Sequence, residues 1–325
     1  MKRLMTYVAV VVLLILISIG VLEYITPPPP QPPRFPAPPP VHGTSASLFW
    51  ANQDITLADK NGDLKIYPAS TTKMLTCIIA LEEGHDKLEQ EAVITPFAMH
   101  QDGTLVGITP AKPITLHQLL YGMMLVSGND AAVAAAETTG GSYSRFIQMM
   151  NEKAESIGAR HSHFNNANGL TDPNHYSTAN DMARIGAYAM RNPQFREIVG
   201  MKTYPMRFKD GSTRIIRNRN EFLESGFSGA NGIKTGMTDA AGKCLVASAI
   251  RNGNLMVVSV YNDNARWQDV QSWLTYGFTC AEAWDRYQKE LKAEPIVFKW
   301  VNQVMGREPN EEQTKKVQKT EVFGL

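Results

Sequence analysis

The chain of 325 residues has few cysteines and almost no surplus of charge, with three cysteines and a formal net charge of +1. An odd count of three allows at most one disulfide beside a free thiol, and none at all is the simpler reading. Cys77 and Cys244 stand in apolar runs, where they read as small buried hydrophobes. Balanced charge excludes electrostatic attraction to nucleic acid as the main activity, and no Lys/Arg cluster interleaved with aromatics argues otherwise. No internal repeat is visible. The seven histidines include no His-Glu-x-x-His run, so a zinc peptidase of that kind lacks its ligands. His161-Ser162-His163 reads as a surface loop. No metal or other cofactor is expected.

One long hydrophobic run is present. Lys2 and Arg3 precede Leu4 to Leu22, whose polar side chains are Thr6, Tyr7 and Ser18 alone. At about 1.5 Å per residue this run nearly matches a hydrocarbon core of about 30 Å. A cleaved secretory signal is the competing reading. No Ala-x-Ala-like site and no lipidation cysteine follows, which favours an uncleaved anchor. Both readings export the rest of the chain, because the two basic residues stay inside. The expected order is a cytoplasmic stub over 1–3, a single-pass membrane anchor (or signal) over 4–22 and a linker over 23–43. The catalytic domain over 44–285 is then extracytoplasmic, and a short, mostly flexible extension fills 286–325. Ten prolines between residues 27 and 40 predict an extended polyproline II spacer. At roughly 3 Å per residue it would hold the domain about 40 Å from the bilayer.

Within the domain, Ser45–Trp50 and Ile55–Ala58 read as paired strands. A helix is predicted from Ser70 to Gly84, where Met74, Cys77, Ile78 and Leu81 recur at helical spacing. Further helices are expected over 116–125, 143–157 and 178–190, with Asp130 capping an Ala-rich segment that runs to Gly140. Lys243–Ile250 and Leu255–Tyr261 flank Arg251-Asn252-Gly253-Asn254, a hairpin signal, and a helix follows from Arg266 to Trp284. Strands at both ends with helices between them predict an α+β fold whose terminal segments share one antiparallel sheet.

Three short motifs carry candidate chemistry. In Ser70-Thr71-Thr72-Lys73 the serine and lysine share one helix face, so Lys73 can reach the Ser70 hydroxyl. A lysine that is desolvated and near a second cation loses its proton readily enough to act as a base. Ser127-Gly128-Asn129 lies between two predicted helices, and Ser127 and Asn129 are candidates for a proton relay and an amide ligand. Lys234-Thr235-Gly236 offers the second cation, a hydroxyl and a position without a side chain where substrate backbone can approach. Each motif alone also reads as a helix start, a turn or a surface lysine. Their order and spacing together are the set associated with serine acyl transfer.

These motifs resemble those of the low-molecular-mass penicillin-binding proteins, the serine-type D-alanyl-D-alanine carboxypeptidases. The resemblance extends to Tyr67-Pro68-Ala69, Leu119-Leu120-Tyr121-Gly122, the run from Gly169 to Ala179, Asn218-Arg219-Asn220 and Gly232-Ile233, and covers residues 45–282. It implies a β-lactamase/transpeptidase-like α+β fold, an antiparallel sheet and a helical subdomain with the active site between them. Ser70 becomes the acylated nucleophile, Lys73 its base and Ser127 the relay to the leaving amine. Asn129 orients the substrate, while Lys234, Thr235 and Arg219 hold its terminal carboxylate beside Gly236. The backbone N–H groups of Ser70 and Met237 form the oxyanion hole. The implied substrate is the peptidoglycan stem pentapeptide, whose trimming serves wall maturation and cell shape, with β-lactam antibiotics as covalent inhibitors.

The sequence departs from the family at Met237, where relatives often carry histidine, and at Asn231, where many carry aspartate. Many relatives also continue into a β-rich second domain that carries their membrane attachment. Here only Glu294-Pro295-Ile296-Val297-Phe298 resembles its start, which leaves the N-terminal helix and proline spacer as the anchor. A β-lactamase is disfavoured because no glutamate loop for deacylation is present. A DD-endopeptidase acting on cross-links shares the same nucleophile and remains the alternative. A non-catalytic wall- or β-lactam-binding module would lack a catalytic residue or carry a cytoplasmic signalling domain.

Overall fold

The computed structural model describes residues 2–307. The chain divides into two units, Pro38–Phe278 and a second formed by the segments on either side of it. The terminal unit contains α1 (Lys2–Ile25), and its stretch Met5–Ile25 is long and apolar enough to cross a membrane. No regular structure follows through the proline-rich residues, as their missing N–H groups require. They are not a free arm, however. Thr26 and Pro29 are buried, and the Asn302 amide donates to the Pro27 carbonyl.

In the larger unit, β1 (Ser45–Trp50) and β2 (Ile55–Lys60) precede a 3-10 turn, Ala69–Thr72, that leads into α2 (Lys73–Glu83). Nine of the eleven α2 residues are buried, so this is a central helix rather than an amphipathic surface one. A short α3 (Pro96–Met99) and α4 (Leu116–Tyr121) follow, each started by a threonine whose hydroxyl accepts a backbone N–H. The helix expected over 116–125 does not stay regular. From Gly122 to Val126 it widens into a π-helical turn, which ends with Ser127 in the left-handed region at φ 70°.

The Ala-rich α5 (Asn129–Gly140) is capped at Gly128, not by Asp130. Asp130 lies two residues past the cap position. Its carboxylate turns outward to accept the N–H groups of Val106, Gly107 and Ile108 at 2.7–3.1 Å. Beyond it come α6 (Tyr143–Ser156), α7 (Ala179–Ala189) and α8 (Pro193–Gly200). A two-stranded ribbon, β3 (Thr203–Arg207) with β4 (Thr213–Arg217), was not signalled by the sequence. Only Met206 and Ile216 of its ten residues are buried, too few to set up an alternating pattern.

The main sheet closes with β5 (Ala230–Thr238), β6 (Gly242–Arg251) and β7 (Asn254–Tyr261) in the antiparallel order β2-β1-β7-β6-β5. First and last strands of the unit therefore lie side by side, which is the expected α+β arrangement. The helix α9 (Arg266–Ala293) runs nine residues past Trp284, and Tyr287 within that extension is buried. After it, Pro295 caps α10 (Ile296–Val304). The segment 294–298 therefore starts a helix rather than a β domain, because a proline just before the first turn suits helix initiation. Beyond residue 285 the chain forms the end of α9 and then α10, as far as Val304. The polar tail after Arg307 lies outside the described residues. All three cysteines are buried, and no disulfide joins them.

Helix α7 packs onto the sheet through Gly186, where a Cβ would stand 3.2 Å from Ile233, Val246 and Val257. A Gly186→Val chain is expected to lose about 1–3 kcal/mol through overpacking, measured by urea denaturation.

Candidate active site

The site is organised by Lys73, which is fully buried at the start of α2. Its Nζ lies 2.9 Å from Ser70 Oγ, 2.7 Å from Asn129 Oδ1 and 2.6 Å from the Asn168 carbonyl. The Asn129 amide orientation is fixed because its Nδ2 donates to the Asp102 carbonyl at 2.6 Å. Asn129 Oδ1 and Asn168 O can therefore only accept. A neutral lysine amine has two N–H bonds and one lone pair. With both N–H groups spent on these two oxygens, the lone pair faces the Ser70 hydroxyl.

The surroundings favour the neutral amine. Burial lowers the Lys73 pKa well below the ordinary lysine value, Lys234 and Arg219 push it further down, and Asp130 opposes them. Lys234 is itself buried on β5, and burial followed by the Arg219 charge brings its pKa down to about 7. Its Nζ donates to the Thr235 carbonyl at 3.1 Å.

The other residues of the 70–73 run hold the nucleophile in place. Thr71 Oγ1 donates to the Pro68 carbonyl at 2.6 Å and lies 3.2 Å from the Tyr261 hydroxyl at the end of β7. Thr72 Oγ1 lies 2.9 Å from His175 Nε2. The His175 Nδ1 accepts the backbone N–H groups of Asn165 and Asn166, so its proton resides on Nε2 and is donated to Thr72. Burial lowers the His175 pKa to about 4 and keeps the ring neutral, Asp172 notwithstanding. Of the four residues in the run, Ser70 alone is partly exposed.

Two glycines let separate segments reach this turn. Gly169, at φ 88°, lies so close that a Cβ would be 1.8 Å from the Ala69 carbonyl oxygen. A Cβ on Gly236 would stand 3.1 Å from the Ser70 nitrogen. The sequence reading left Gly236 bare so that substrate backbone could approach; the closest backbone in the structure is that of the nucleophile turn itself. Ala69, at φ 49°, is a left-handed non-glycine residue, a conformation costing about 1–2 kcal/mol.

Among the candidates, Ser70, Lys73 and Asn129 are joined by hydrogen bonds, and Lys234 and Arg219 lie within electrostatic reach of Lys73. Arg219 is exposed and its NH1 donates to Thr104 Oγ1 at 3.0 Å. Ser127 is 5% exposed, and its hydroxyl has no hydrogen-bond partner among the described residues. Thr235 and Met237 share the face of β5 opposite to Lys234 and Gly236, and the Met237 side chain is exposed. As the edge strand, β5 leaves alternate backbone groups unpaired on its outer side. Among the described residues no cluster of three or more His, Cys, Asp or Glu side chains could hold a metal ion.

Sequence reasoning missed Asn168, Asp130, Thr71 and Thr72. Asn168 acts through its carbonyl, which any residue possesses, so no side-chain motif could mark it. Asp130 acts by pinning the 106–108 backbone, a contact between segments more than twenty residues apart.

Comparison with known proteins adds an independent line. Residues 34–265 match the family model described as D-alanyl-D-alanine carboxypeptidase. A D-alanyl-D-alanine carboxypeptidase of Bacillus subtilis is 32% identical over 66% of this chain and 56% of its own length. Another, of Escherichia coli, is 32% identical over 81% of this chain and 68% of its own. The chain thus spans little more than half of the first relative and two thirds of the second. Among solved structures, the Streptomyces DD-transpeptidase superposes with a TM-score of 0.69 at 30% identity, covering 75% of this chain and 100% of that one. A penicillin-binding protein homologue of Mycobacterium tuberculosis gives 0.70 at 30% identity, over 77% and 96%.

The His175 ring yields a pH test. The unfolded ring titrates near 6.5 and the native ring near 4, so between these values the unfolded chain binds more protons. The ring's contribution to stability is complete above about pH 6.5 and is lost as pH falls toward 4, by about 3 kcal/mol at most. Urea denaturation at pH 7.5 and pH 4.5 should show a smaller pH-dependent loss for His175→Gln than for the parent chain.

Proposed function

The chain belongs to the D-alanyl-D-alanine carboxypeptidase family, and we propose that it removes the terminal D-Ala from peptidoglycan stem pentapeptides through a Ser70 acyl-enzyme. The observation that carries this reading is the buried Lys73 amine, 2.9 Å from Ser70 Oγ and held by the Asn129 and Asn168 oxygens at 2.7 and 2.6 Å. In the first step Lys73 takes the hydroxyl proton as Ser70 Oγ attacks the penultimate D-Ala carbonyl. The developing oxyanion is assigned to the backbone N–H groups of Ser70 and Met237, and Ser127 passes a proton to the departing D-Ala amine. Arg219 and Lys234 receive the terminal carboxylate, with the Thr235 hydroxyl reaching it around the open edge of β5, and Asn129 orients the substrate amide. Water then cleaves the ester. Gly236 keeps β5 close against the nucleophile turn.

β-Lactams acylate the same serine in this scheme. Residues 4–22 within α1 serve as a single-pass anchor, with the catalytic domain outside the cell membrane and residues 1–3 inside. Support comes from the apolar stretch Met5–Ile25 and the two basic residues before it.

Mass spectrometry of stem pentapeptide and of cross-linked dimer after incubation with the protein tests the reaction. Loss of one D-Ala from the pentapeptide is expected, and cleavage of the cross-link in its place would make the enzyme an endopeptidase. Ser70→Ala should abolish both D-Ala release and covalent penicillin labelling, and labelling retained by that variant refutes the assignment. Lys73→Arg should be inactive as well, since a guanidinium does not give up its proton. Lys234 lowers the Lys73 pKa, so in Lys234→Ala the rising limb of the acylation pH profile should move to higher pH. An unmoved limb would remove Lys234 from the activation of Lys73.

A further inference from the structure

Helix α10 exposes four apolar side chains, Ile296, Val297, Trp300 and Val304, at 84, 56, 59 and 64%. At roughly 100° per residue they occupy a single arc about 100° wide. Val301 and Asn302 are buried on the inner side of the same helix. A contiguous apolar face of this kind on a described surface calls for a partner.

The terminal unit itself says where that face lies. Asn302 Nδ2 donates to the Pro27 carbonyl at 3.2 Å, and the Arg307 guanidinium pairs with Glu23 Oε1 at 3.2 Å. Glu23 is the one carboxylate within Met5–Ile25, and Pro27 is the second residue beyond that stretch. The α10 segment is therefore fastened on both sides of the point where the apolar helix ends. If α1 spans a bilayer, α10 stands at the level of the lipid headgroups.

We propose that α10 is an interfacial helix lying in the plane of the membrane surface, with Ile296, Val297, Trp300 and Val304 set into the boundary between headgroups and acyl chains. The inference rests on the reading of α1 as a membrane span and adds a second lipid contact to it. Nine residues are too few to cross a bilayer but suffice to lie along one. An indole among aliphatic side chains suits that boundary, where its ring is apolar and its N–H reaches water. Four side chains offer much less area than a stable contact with a second copy requires. Arg307 also answers the Glu23 carboxylate, which the same boundary would otherwise leave unpaired.

The test uses the full chain reconstituted into phosphatidylcholine/phosphatidylglycerol vesicles, with and without lipids brominated in the upper acyl chain. The protein is expected to float with the vesicles, and bromolipid is expected to quench part of its tryptophan emission. That quenched part should vanish in Trp300→Phe, which should still float. A double substitution, Ile296→Glu with Val297→Glu, should also abolish the Trp300 quenching while leaving D-Ala release from soluble pentapeptide unchanged. Equal quenching in the parent and Trp300→Phe, with both floating, overturns the interfacial helix and leaves the anchor intact. Failure of the parent chain to float overturns the anchor and the interfacial helix together.

Discussion

A buried amine whose two N–H groups are matched by two carbonyl oxygens governs this molecule. Lys73 enters the core at the first turn of α2, where a charge would be costly, and is met by oxygens from α5 and from the 165–170 loop. Each segment that supplies an oxygen is secured elsewhere. Asn129 is tied to the Asp102 carbonyl, and Thr76 Oγ1 donates to the Ala167 carbonyl at 2.7 Å, one residue before Asn168. Removing the amine would leave those oxygens facing a cavity. The same burial that makes the site costly to build lowers the Lys73 pKa and so favours the unprotonated amine, which can accept a proton.

The fold was legible where one sequence period dominates. Strands β6 and β7 with their Asn-Gly turn, and the helical run of α2, carry enough apolar residues to announce themselves. The β3–β4 ribbon does not, because most of its side chains face solvent and only two are buried. The π-helical turn over 122–126 was also hidden, since an extra residue in a buried helix leaves the apolar pattern unchanged. Asp130 looked like a helix cap by residue type, and its use as a clamp for residues 106–108 depends on a loop that local sequence cannot bring near.

At the site, residue type and spacing marked Ser70 and Lys73, because adjacency along one helix face is a local property. The link to Asn129 crosses 56 residues and followed only from the joint order of motifs. The contribution of Asn168 was invisible for a different reason, as its carbonyl is common to every residue. The proline-rich segment was legible by composition but not by contact. Composition suggests an extended polyproline II spacer and cannot show that Thr26 and Pro29 are buried or that the Asn302 amide donates to the Pro27 carbonyl.

The edge position of β5 has a consequence for handedness. A peptide laid along an open strand edge is recognised through its own N–H and C=O groups, which are the same for every residue. Reversing the configuration at one carbon sends that side chain to the opposite face of the strand without disturbing the ladder. At Gly236 of β5 a Cβ would stand 3.1 Å from Ala69 and from the Ser70 nitrogen, so a peptide on this edge would meet unequal space on its two faces. An edge crowded on one face would discriminate mirror-image residues by where their side chains must go, with little dependence on what those side chains are.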